Sequence, residues 1–328
     1  MPQTLITLIF TLLLSTIVCN AITTSEEYEE GDEGDNDPPQ QSSEEEEPIL
    51  YHEEDITEAP KTPEREKFLK RVQGHGIYHS LQSILETLDQ DEYRDKKEVR
   101  QLISSYQNDC SDGHIDVPPK YNKTGLWPFI VIEGVQTSGK LTVSRRVTEI
   151  LQADFLTTPP DCLFHLRPTF EALNGTLRSL YYSLCMYALA NQAMKRLRIR
   201  AVVANRYWHS QAAFGLAVAE ISENMQLPPD SILYKWPEDL LKPDLSFYLQ
   251  YSHNKPGPKA PSNVKAMTRK FRDRMGIHFT RMREPVLSEV FEQRSYQQTG
   301  RVLKITEEKY PKKFPFITTK ELSFRKPT

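Results

Sequence analysis

Residues 134–140, with the sequence G-V-Q-T-S-G-K, constrain the fold of this chain more than any other feature. They fit the pattern G-x-x-x-x-G-K and stand between a short apolar run, residues 129–132, and a helical pattern, residues 140–152. Between a strand and a helix, such a loop directs backbone N–H groups and a helix N-terminus at a polyphosphate, and its lysine neutralises phosphate charge. The pattern therefore predicts a nucleotide-binding loop; the alternative is a chance glycine turn.

The chain beyond residue 127 alternates apolar and helical patterns, which indicates an α/β fold whose parallel sheet is covered by helices on both faces. The predicted strands are residues 129–132, 154–157, 201–204, 245–249 and 302–305. The predicted helices are residues 140–152, 163–173, 176–197 and 212–223. Upstream, apolar stripes at residues 81–88 and 99–106 predict a helical segment over residues 64–110. The turn-rich residues 111–126 predict a linker to a domain at residues 127–328.

The amino-terminal segment has a different composition. Residues 5–18 are an apolar run that ends in small residues, which is typical of a secretory signal peptide over residues 1–21. An uncleaved anchor or a misassigned start codon is the alternative. Residues 22–63 are predicted to be a disordered acidic tail, because residues 22–60 contain 16 acidic residues and no Lys or Arg. After signal cleavage no membrane span is expected.

The near-neutral charge of the chain conceals two parts of opposite sign. The chain has 41 basic and 45 acidic residues, a net charge of −4. With the 16 acids of residues 22–60 set apart, the 41 basic and 29 acidic residues that remain give +12. A basic body suits nucleotides and other phosphate-rich ligands, although no specific nucleic-acid recognition is expected. One hypothesis is that the tail folds over the basic face and competes with nucleotide; a solvated spacer is the alternative.

The cysteines and two short motifs bear on the compartment. Once Cys19 has left with the signal peptide, three cysteines remain, Cys110, Cys162 and Cys185. Two arrangements are possible: one disulfide with one free thiol, or three buried thiols. The sequence has no Cys-x-x-Cys or Cys/His ligand spacing, so no zinc site is expected. Asn122 and Asn174 begin Asn-x-Thr sequons, which are candidate glycosylation sites in a secreted protein.

Four blocks, in order along the chain, resemble the thymidylate kinase family. They are E-G-x-x-x-x-G-K at residues 133–140, T-P-P-D-C at 158–162, N-R-Y-W-H-S at 205–210 and W-P-E-D-L-L-K-P-D at 236–244. The last two are most similar to the mitochondrial UMP/CMP kinase branch of these nucleoside monophosphate kinases. The resemblance runs from about residue 127 to the C-terminus. It implies a five-stranded parallel sheet of the P-loop NTPase class, transfer of the ATP γ-phosphate to a pyrimidine nucleoside monophosphate with Mg²⁺, and a homodimer.

The resemblance also implies roles for individual residues. The phosphates of ATP would lie against Gly134, Gln136, Thr137, Ser138, Gly139, Lys140, Leu141 and Thr142. Lys140, Arg206 and Asn205 would be catalytic, with Arg206 on the acceptor phosphate. Arg167 matches a second basic residue near the acceptor, with a surface helix charge as the alternative. Tyr182 matches an aromatic residue that stacks on the base, with a core aromatic as the alternative.

The departures from the family fall on its catalytic positions. Leu141 replaces the hydroxyl that holds Mg²⁺, and Thr142 is a weak substitute because one helical step rotates a side chain by about 100°. Gln136 and Asn205 stand where the family has acidic residues. A Pro/Gly-rich loop at residues 253–261 replaces an Arg-rich lid, and the basic stretch Arg269 to Arg274 is either a displaced lid or the basic face of a helix. Mg²⁺ binding is therefore doubtful, and weak or absent phosphoryl transfer is expected.

Three functions follow from these patterns. The first is an active nucleoside monophosphate kinase, and the second is a secreted pseudokinase that binds nucleotide or a partner. The third is a P-loop transferase of another chemistry, such as a sulfotransferase, against which the blocks at residues 205–210 and 236–244 argue. The signal sequence predicts the secretory pathway, whereas the resemblance alone would place the protein in mitochondria.

Overall fold

A computed structural model of the chain describes residues 49–50, 72–73, 75–111, 123–135, 139–173, 175–222, 225–250, 262–285, 287–291, 294–315 and 317. These residues form a five-stranded parallel sheet with helices packed on both faces. The predicted α/β class is therefore confirmed. The sequon asparagines Asn122 and Asn174, the loop at residues 253–261 and the signal sequence lie outside the described residues, as does the tail apart from residues 49–50.

The strands, in chain order, are β1 (Ile49–Leu50), β2 (Phe129–Gly134), β3 (Asp154–Thr157), β4 (Val202–Asn205), β5 (Met225–Gln226), β6 (Leu245–Leu249) and β7 (Leu287–Val290). The central sheet has the order β3-β4-β2-β6-β7, and all of its pairings are parallel. Ile132 of β2 lies opposite Asn205 of β4. The residues that follow β2 and β4 therefore emerge side by side at the carboxyl edge of the sheet, where ligands of open α/β sheets bind. Separately, β1 pairs in parallel with β5.

The α-helices are α1 (Leu81–Leu88), α2 (Lys97–Ser105), α3 (Lys140–Leu151), α4 (Asp161–Phe164), α5 (Arg167–Glu171), α6 (Gly175–Arg196), α7 (Trp208–Ser222), α8 (Ser262–Arg281) and α9 (Ser295–Lys309). A π-helical turn (Tyr106–Cys110) follows α2, and a 3₁₀ turn (Ile232–Tyr234) precedes β6. The helix predicted over residues 163–173 is split in two. Pro168, near the start of α5, provides no N–H for a helix continuing from α4.

Strand β2 is buried on both faces, which explains its unbroken apolar sequence. Phe129 and Val131 pack into a cluster with α6 and α7, whereas Ile130 and Ile132 pack into a second cluster with α3 and α9. Because successive strand side chains point to opposite faces, one strand holds two layers of helices together. The central strand therefore fixes the position of the loop that follows it.

One predicted strand is wrong. Residues 302–305 belong to helix α9, where Val302 and Leu303 are fully buried against the sheet. A four-residue apolar run does not distinguish a buried strand from the buried face of a helix. The fifth strand is β7, which sequence reasoning missed because only Val290 among its four residues is buried and its sequence includes Ser288 and Glu289.

The helical segment before the sheet packs into the same apolar cluster as α6 and α7. Asp239, in the W-P-E-D block, joins the two parts: one carboxylate oxygen accepts from the Leu81 N–H at the start of α1 at 2.7 Å, and the other accepts from the Tyr187 hydroxyl at 2.7 Å. The Trp208 indole N–H donates to the Tyr78 carbonyl at 3.1 Å. Part of this conspicuous block therefore anchors the preceding segment.

Gly215 of α7 lies directly beneath this segment. A Cβ at Gly215 would stand 2.4 Å from the His75 carbonyl oxygen and 2.9 Å from Ile77 Cγ1. We expect Gly215→Ala to lower the free energy of unfolding by about 1–2 kcal/mol, because overpacking outweighs the gain in helix propensity. Urea unfolding measures the change.

The matched control for that substitution is Gly175→Ala at the start of α6, where a Cβ would meet nothing within 4 Å. The control should be neutral or slightly stabilising, since it gains helix propensity without a clash. Equal stability of the Gly215→Ala variant and the control would contradict the close packing of residues 75–77 on α7.

A disulfide settles the question that the cysteine count left open. Cys110, at the end of the π-helical turn, is bonded to Cys162 in α4, while Cys185 is a buried free thiol. The bridge spans 52 residues of sequence and ties the preceding helical segment to the chain just after the T-P-P-D block. One bridge with one free thiol is thus the arrangement found.

Candidate nucleotide-binding site

The predicted phosphate loop lies between β2 and α3 at the carboxyl edge of the sheet. Gly134 ends β2, and Gly139 immediately precedes α3 with φ of 78°. At that backbone angle an L side chain is strained, and a Cβ at Gly139 would also stand 3.0 Å from Ser295 Oγ at the start of α9. Glycine is therefore required here. Gln136, Thr137 and Ser138 lie outside the described residues.

Lys140 is the first residue of α3 and is almost fully buried, at 5% exposure. Its ammonium donates a hydrogen bond to the Val135 carbonyl at 2.7 Å, so the side chain folds back over the loop. The positive charge of Lys140 lowers the pKa of Glu133, against the larger effect of burial, which raises it. A buried lysine at a helix N-terminus beside a glycine loop is suited to polyphosphate.

Glu133, the residue before Gly134, is fully buried, and sequence reasoning did not single it out as a site residue. One carboxylate oxygen accepts from the Tyr207 N–H at 3.2 Å, and the other accepts from the Ser210 hydroxyl. Burial raises the pKa of Glu133, and the hydrogen bonds from Ser210 and Tyr207 and the charge of Lys140 oppose that rise. The available signal was an acidic residue ending an apolar strand, which requires partners when buried.

Asn205 and Arg206 follow at the end of β4, next to β2. Arg206 has φ of 69°, an uncommon backbone conformation for a residue with a side chain. Its N–H donates to the Ile132 carbonyl at 3.1 Å, and its carbonyl accepts from the Thr158 hydroxyl at 3.3 Å. The structure thus brings Lys140 and Arg206 to neighbouring positions on the sheet edge, together with the T-P-P-D block.

Arg167 and Tyr182 form a separate group centred on Glu171. Arg167 Nε and the Tyr182 hydroxyl both donate to the same Glu171 oxygen, at 2.7 and 2.9 Å. Tyr182 is only partly buried, and its pKa is raised by burial and then by the charge of Glu171. The pairing orients Arg167 by an i, i+4 ion pair on α5. Both residues are therefore held in place by a carboxylate that sequence reasoning did not include.

Among the described residues, those at positions 141 and 205 do not fit the Mg²⁺ site that the family resemblance implies. Leu141 is 39% exposed and has no hydroxyl, and Thr142 is exposed on the next helical step. The Asn205 side-chain oxygen is buried and without a hydrogen-bond partner among the described residues, but it is a neutral amide. Within the described ranges no cluster of three or more His, Cys, Asp or Glu is suited to a metal. Mg²⁺ is usually bound through one or two carboxylates, and neither Leu141 nor Asn205 provides one.

The basic stretch after β6 lies in helix α8. Arg269 and Lys270 are exposed, whereas Arg274 forms a 3.8 Å ion pair with Glu220 of α7. Glu220 also lies 3.4 Å from Nε2 of the buried His278. Helix α8 therefore has exposed basic residues on one side and an ion pair with α7 on another. In the part of the chain that the structure describes, no helix is both long and apolar enough to cross a membrane.

Part of the chain is similar in sequence to a nucleoside monophosphate kinase. No protein-family model matches it. Over 182 residues, or 52% of this chain, it is 34% identical to human "UMP-CMP kinase 2, mitochondrial", and it spans 40% of that protein's length. Among solved structures, a thymidylate kinase from Candida albicans aligns with 56% of this chain and 92% of its own, at 17% identity and a TM-score of 0.43. The sequence match supports the resemblance to nucleoside monophosphate kinases.

Proposed function

We propose that the protein is a nucleoside monophosphate kinase-like nucleotide-binding protein that takes ATP at residues 134–142 and a pyrimidine nucleoside monophosphate beside Arg206. One observation carries the proposal: Lys140 and Arg206 follow adjacent parallel strands, β2 and β4, and the buried Glu133 at the end of β2 accepts a hydrogen bond from the N–H of Tyr207, the residue after Arg206. Two cationic groups at one sheet edge suit two phosphorylated ligands that must meet.

In this arrangement each residue has a role defined by charge and position. The loop N–H groups and Lys140 would hold the ATP phosphates, and Arg206 would hold the acceptor phosphate through a bidentate guanidinium contact. Arg167 and Tyr182, positioned by Glu171, would contribute a second cation and an aromatic ring on the acceptor side. In phosphoryl transfer an acceptor phosphate oxygen bonds to the γ-phosphorus as the bond to the ADP oxygen breaks.

A second candidate, a secreted pseudokinase that binds nucleotide without efficient turnover, is favoured by the poor fit to Mg²⁺. Leu141 and Asn205 stand at the two positions from which the family would hold the metal. Removal of transition-state electrostatics typically lowers rates by about 10²- to 10³-fold for each group. The Cys110–Cys162 disulfide supports residence in an oxidising compartment, as expected for the secretory pathway.

Turnover decides between the two candidates. ADP release from ATP is measured with dTMP, UMP, CMP and dUMP in turn, using the full-length protein and the Lys140→Ala variant. Release well above that of the variant establishes a kinase and overturns the pseudokinase. Release equal to that of the variant, together with retained ATP binding, establishes the pseudokinase.

Nucleotide binding tests the site itself. We expect Lys140→Ala to weaken ATP binding about 10- to 100-fold, because it removes the buried cation of the loop. We also expect chelation of Mg²⁺ by EDTA to change the ATP affinity of the unmodified protein less than about twofold, since neither Leu141 nor Asn205 provides a charged oxygen ligand. Isothermal titration calorimetry measures both.

The charge-matched control is Lys304→Ala, which removes an exposed lysine from α9. It should leave ATP binding unchanged. Equal loss of affinity in both lysine variants would contradict the assignment of the loop. A tenfold or larger gain in affinity with Mg²⁺ would show that Thr142 or another group holds the metal.

A further inference from the structure

The turn that carries Arg206 is held in an unfavourable backbone conformation. Its φ of 69° lies in the left-handed region, which a residue with a side chain occupies at a cost of about 1 kcal/mol or more. Such a conformation persists only where the surroundings enforce it. The N–H of Arg206 donates to the Ile132 carbonyl at 3.1 Å, and the next N–H, of Tyr207, donates to the Glu133 carboxylate at 3.2 Å. Two consecutive residues of β2 therefore enforce the turn.

The second carboxylate oxygen of Glu133 extends this restraint into helix α7. It accepts from the hydroxyl of Ser210, which lies four residues after Arg206. The carboxylate of Glu133 is fully buried. A buried carboxylate with both oxygens engaged is rigid, because release of either partner leaves a desolvated polar group. Glu133 thus fixes both sides of the arginine turn.

We infer that Glu133 is a positioning residue that sets the acceptor arginine relative to the phosphate loop, acting through the Tyr207 N–H and the Ser210 hydroxyl. The inference rests on the proposed function, because it concerns the monophosphate that Arg206 would bind. Glu133 is also the residue immediately before Gly134, where the phosphate loop begins. A single side chain therefore connects the donor loop to the acceptor turn, and the distance between the two phosphate sites is set by β2.

Substitution of Ser210 tests the acceptor half of this connection without altering the loop. We expect Ser210→Ala to weaken binding of UMP and of dTMP about tenfold, because a small misplacement of a phosphate-binding group is costly. ATP affinity should change less than about twofold. Ser210→Thr, which keeps the hydroxyl, should restore monophosphate binding. Calorimetric titrations of ATP, UMP and dTMP are carried out separately on the full-length protein.

Glu133→Asp shortens the side chain by one methylene and should weaken monophosphate binding to a similar degree. If the two residues act through one contact, the Glu133→Asp/Ser210→Ala double variant should lose no more affinity than the weaker-binding single variant. Multiplied losses in the double variant would overturn the inference. The control is Thr306→Val, which removes a buried hydroxyl that donates to the Val302 carbonyl in α9, remote in sequence from the turn. It should leave all three affinities unchanged.

The outcomes separate this inference from the function on which it rests. If the unmodified protein binds UMP or dTMP and Arg206→Ala abolishes that binding while Ser210→Ala does not affect it, the positioning role of Glu133 is wrong and the proposed function stands. If the unmodified protein binds neither monophosphate, the acceptor site is wrong, and the positioning role falls with it. Equal loss of ATP and monophosphate binding in Ser210→Ala would indicate general unfolding and would also overturn the specific role.

Discussion

Replacement of both Cys110 and Cys162 by serine is expected to lower the free energy of unfolding by about 4 kcal/mol. The bridge closes a loop with a sequence separation of 52 residues, and the loss of that constraint enlarges the conformational entropy of the unfolded chain by this amount in the chain-entropy treatment. Cys110 belongs to an apolar cluster, and Cys162 packs against the same cluster. The other contacts of that cluster remain in the folded state when the disulfide is removed. Guanidinium or urea unfolding measures the difference.

Reduction supplies the control for that result. Dithiothreitol should destabilise the unmodified protein by a similar amount and leave the Cys110→Ser/Cys162→Ser variant unchanged. Because Cys185 is buried and unbonded, its thiol is the same in both proteins and contributes nothing to the comparison. A loss below about 1 kcal/mol on reduction would show that the bridge does not constrain the unfolded state as expected.

The sequence predicted the central part of the fold because its signals there are local. The buried strand β2, the glycine loop and helix α3 follow one another without interruption, and each is recognisable from its own residues. Four of the five sheet strands were predicted for the same reason. The strand predicted at residues 302–305 was wrong because a four-residue apolar run is too short to show whether its hydrophobic periodicity is that of a strand or a helix. Strand β7 was missed because only one of its four residues is buried.

The contacts that complete the site depend on tertiary structure, and the sequence could not supply them. The pairing of Cys110 with Cys162 requires the preceding helical segment to pack beside α4. The roles of Glu133 and Glu171 depend on partners 74 and 11 residues away, Tyr207 and Tyr182. Phosphate-binding residues can be predicted from a motif, whereas the carboxylates that orient them become visible only when strands and helices have been brought together.

Acidification is expected to destabilise the protein through His209, a fully buried residue in an aromatic cluster with Trp208 and Trp236. Nε2 lies 3.2 Å from the Glu284 carbonyl, which can only accept, so the neutral ring carries its proton on Nε2. Nδ1 is buried and has no hydrogen-bond partner in the described part of the chain. A second proton would therefore be placed where neither water nor an acceptor can stabilise it, and burial lowers the pKa of His209 to about 4.

The sign of the pH effect follows from the lowered pKa. Below pH 6.5 this histidine binds a proton in the unfolded chain but stays neutral in the folded protein. The free energy of unfolding therefore decreases as the pH is lowered from 6.5, and the decrease levels off below about pH 4. For this one histidine the free energy of unfolding should decrease by about 3 kcal/mol between pH 7 and pH 4. Burial also lowers the pKa of His79 to about 4, which adds a loss of the same sign.

Comparison with His209→Gln isolates the contribution of this ring, because a glutamine amide can donate to the Glu284 carbonyl and does not titrate. Urea unfolding of both proteins is measured from pH 7 to pH 4. Carboxylates and His79 titrate alike in the two proteins, so their effects cancel when the curves are subtracted. The difference should grow by about 3 kcal/mol over that range, with the unmodified protein losing more. Parallel curves would mean that the protonated ring finds a partner in the folded protein, and that His209 is not held neutral by its surroundings.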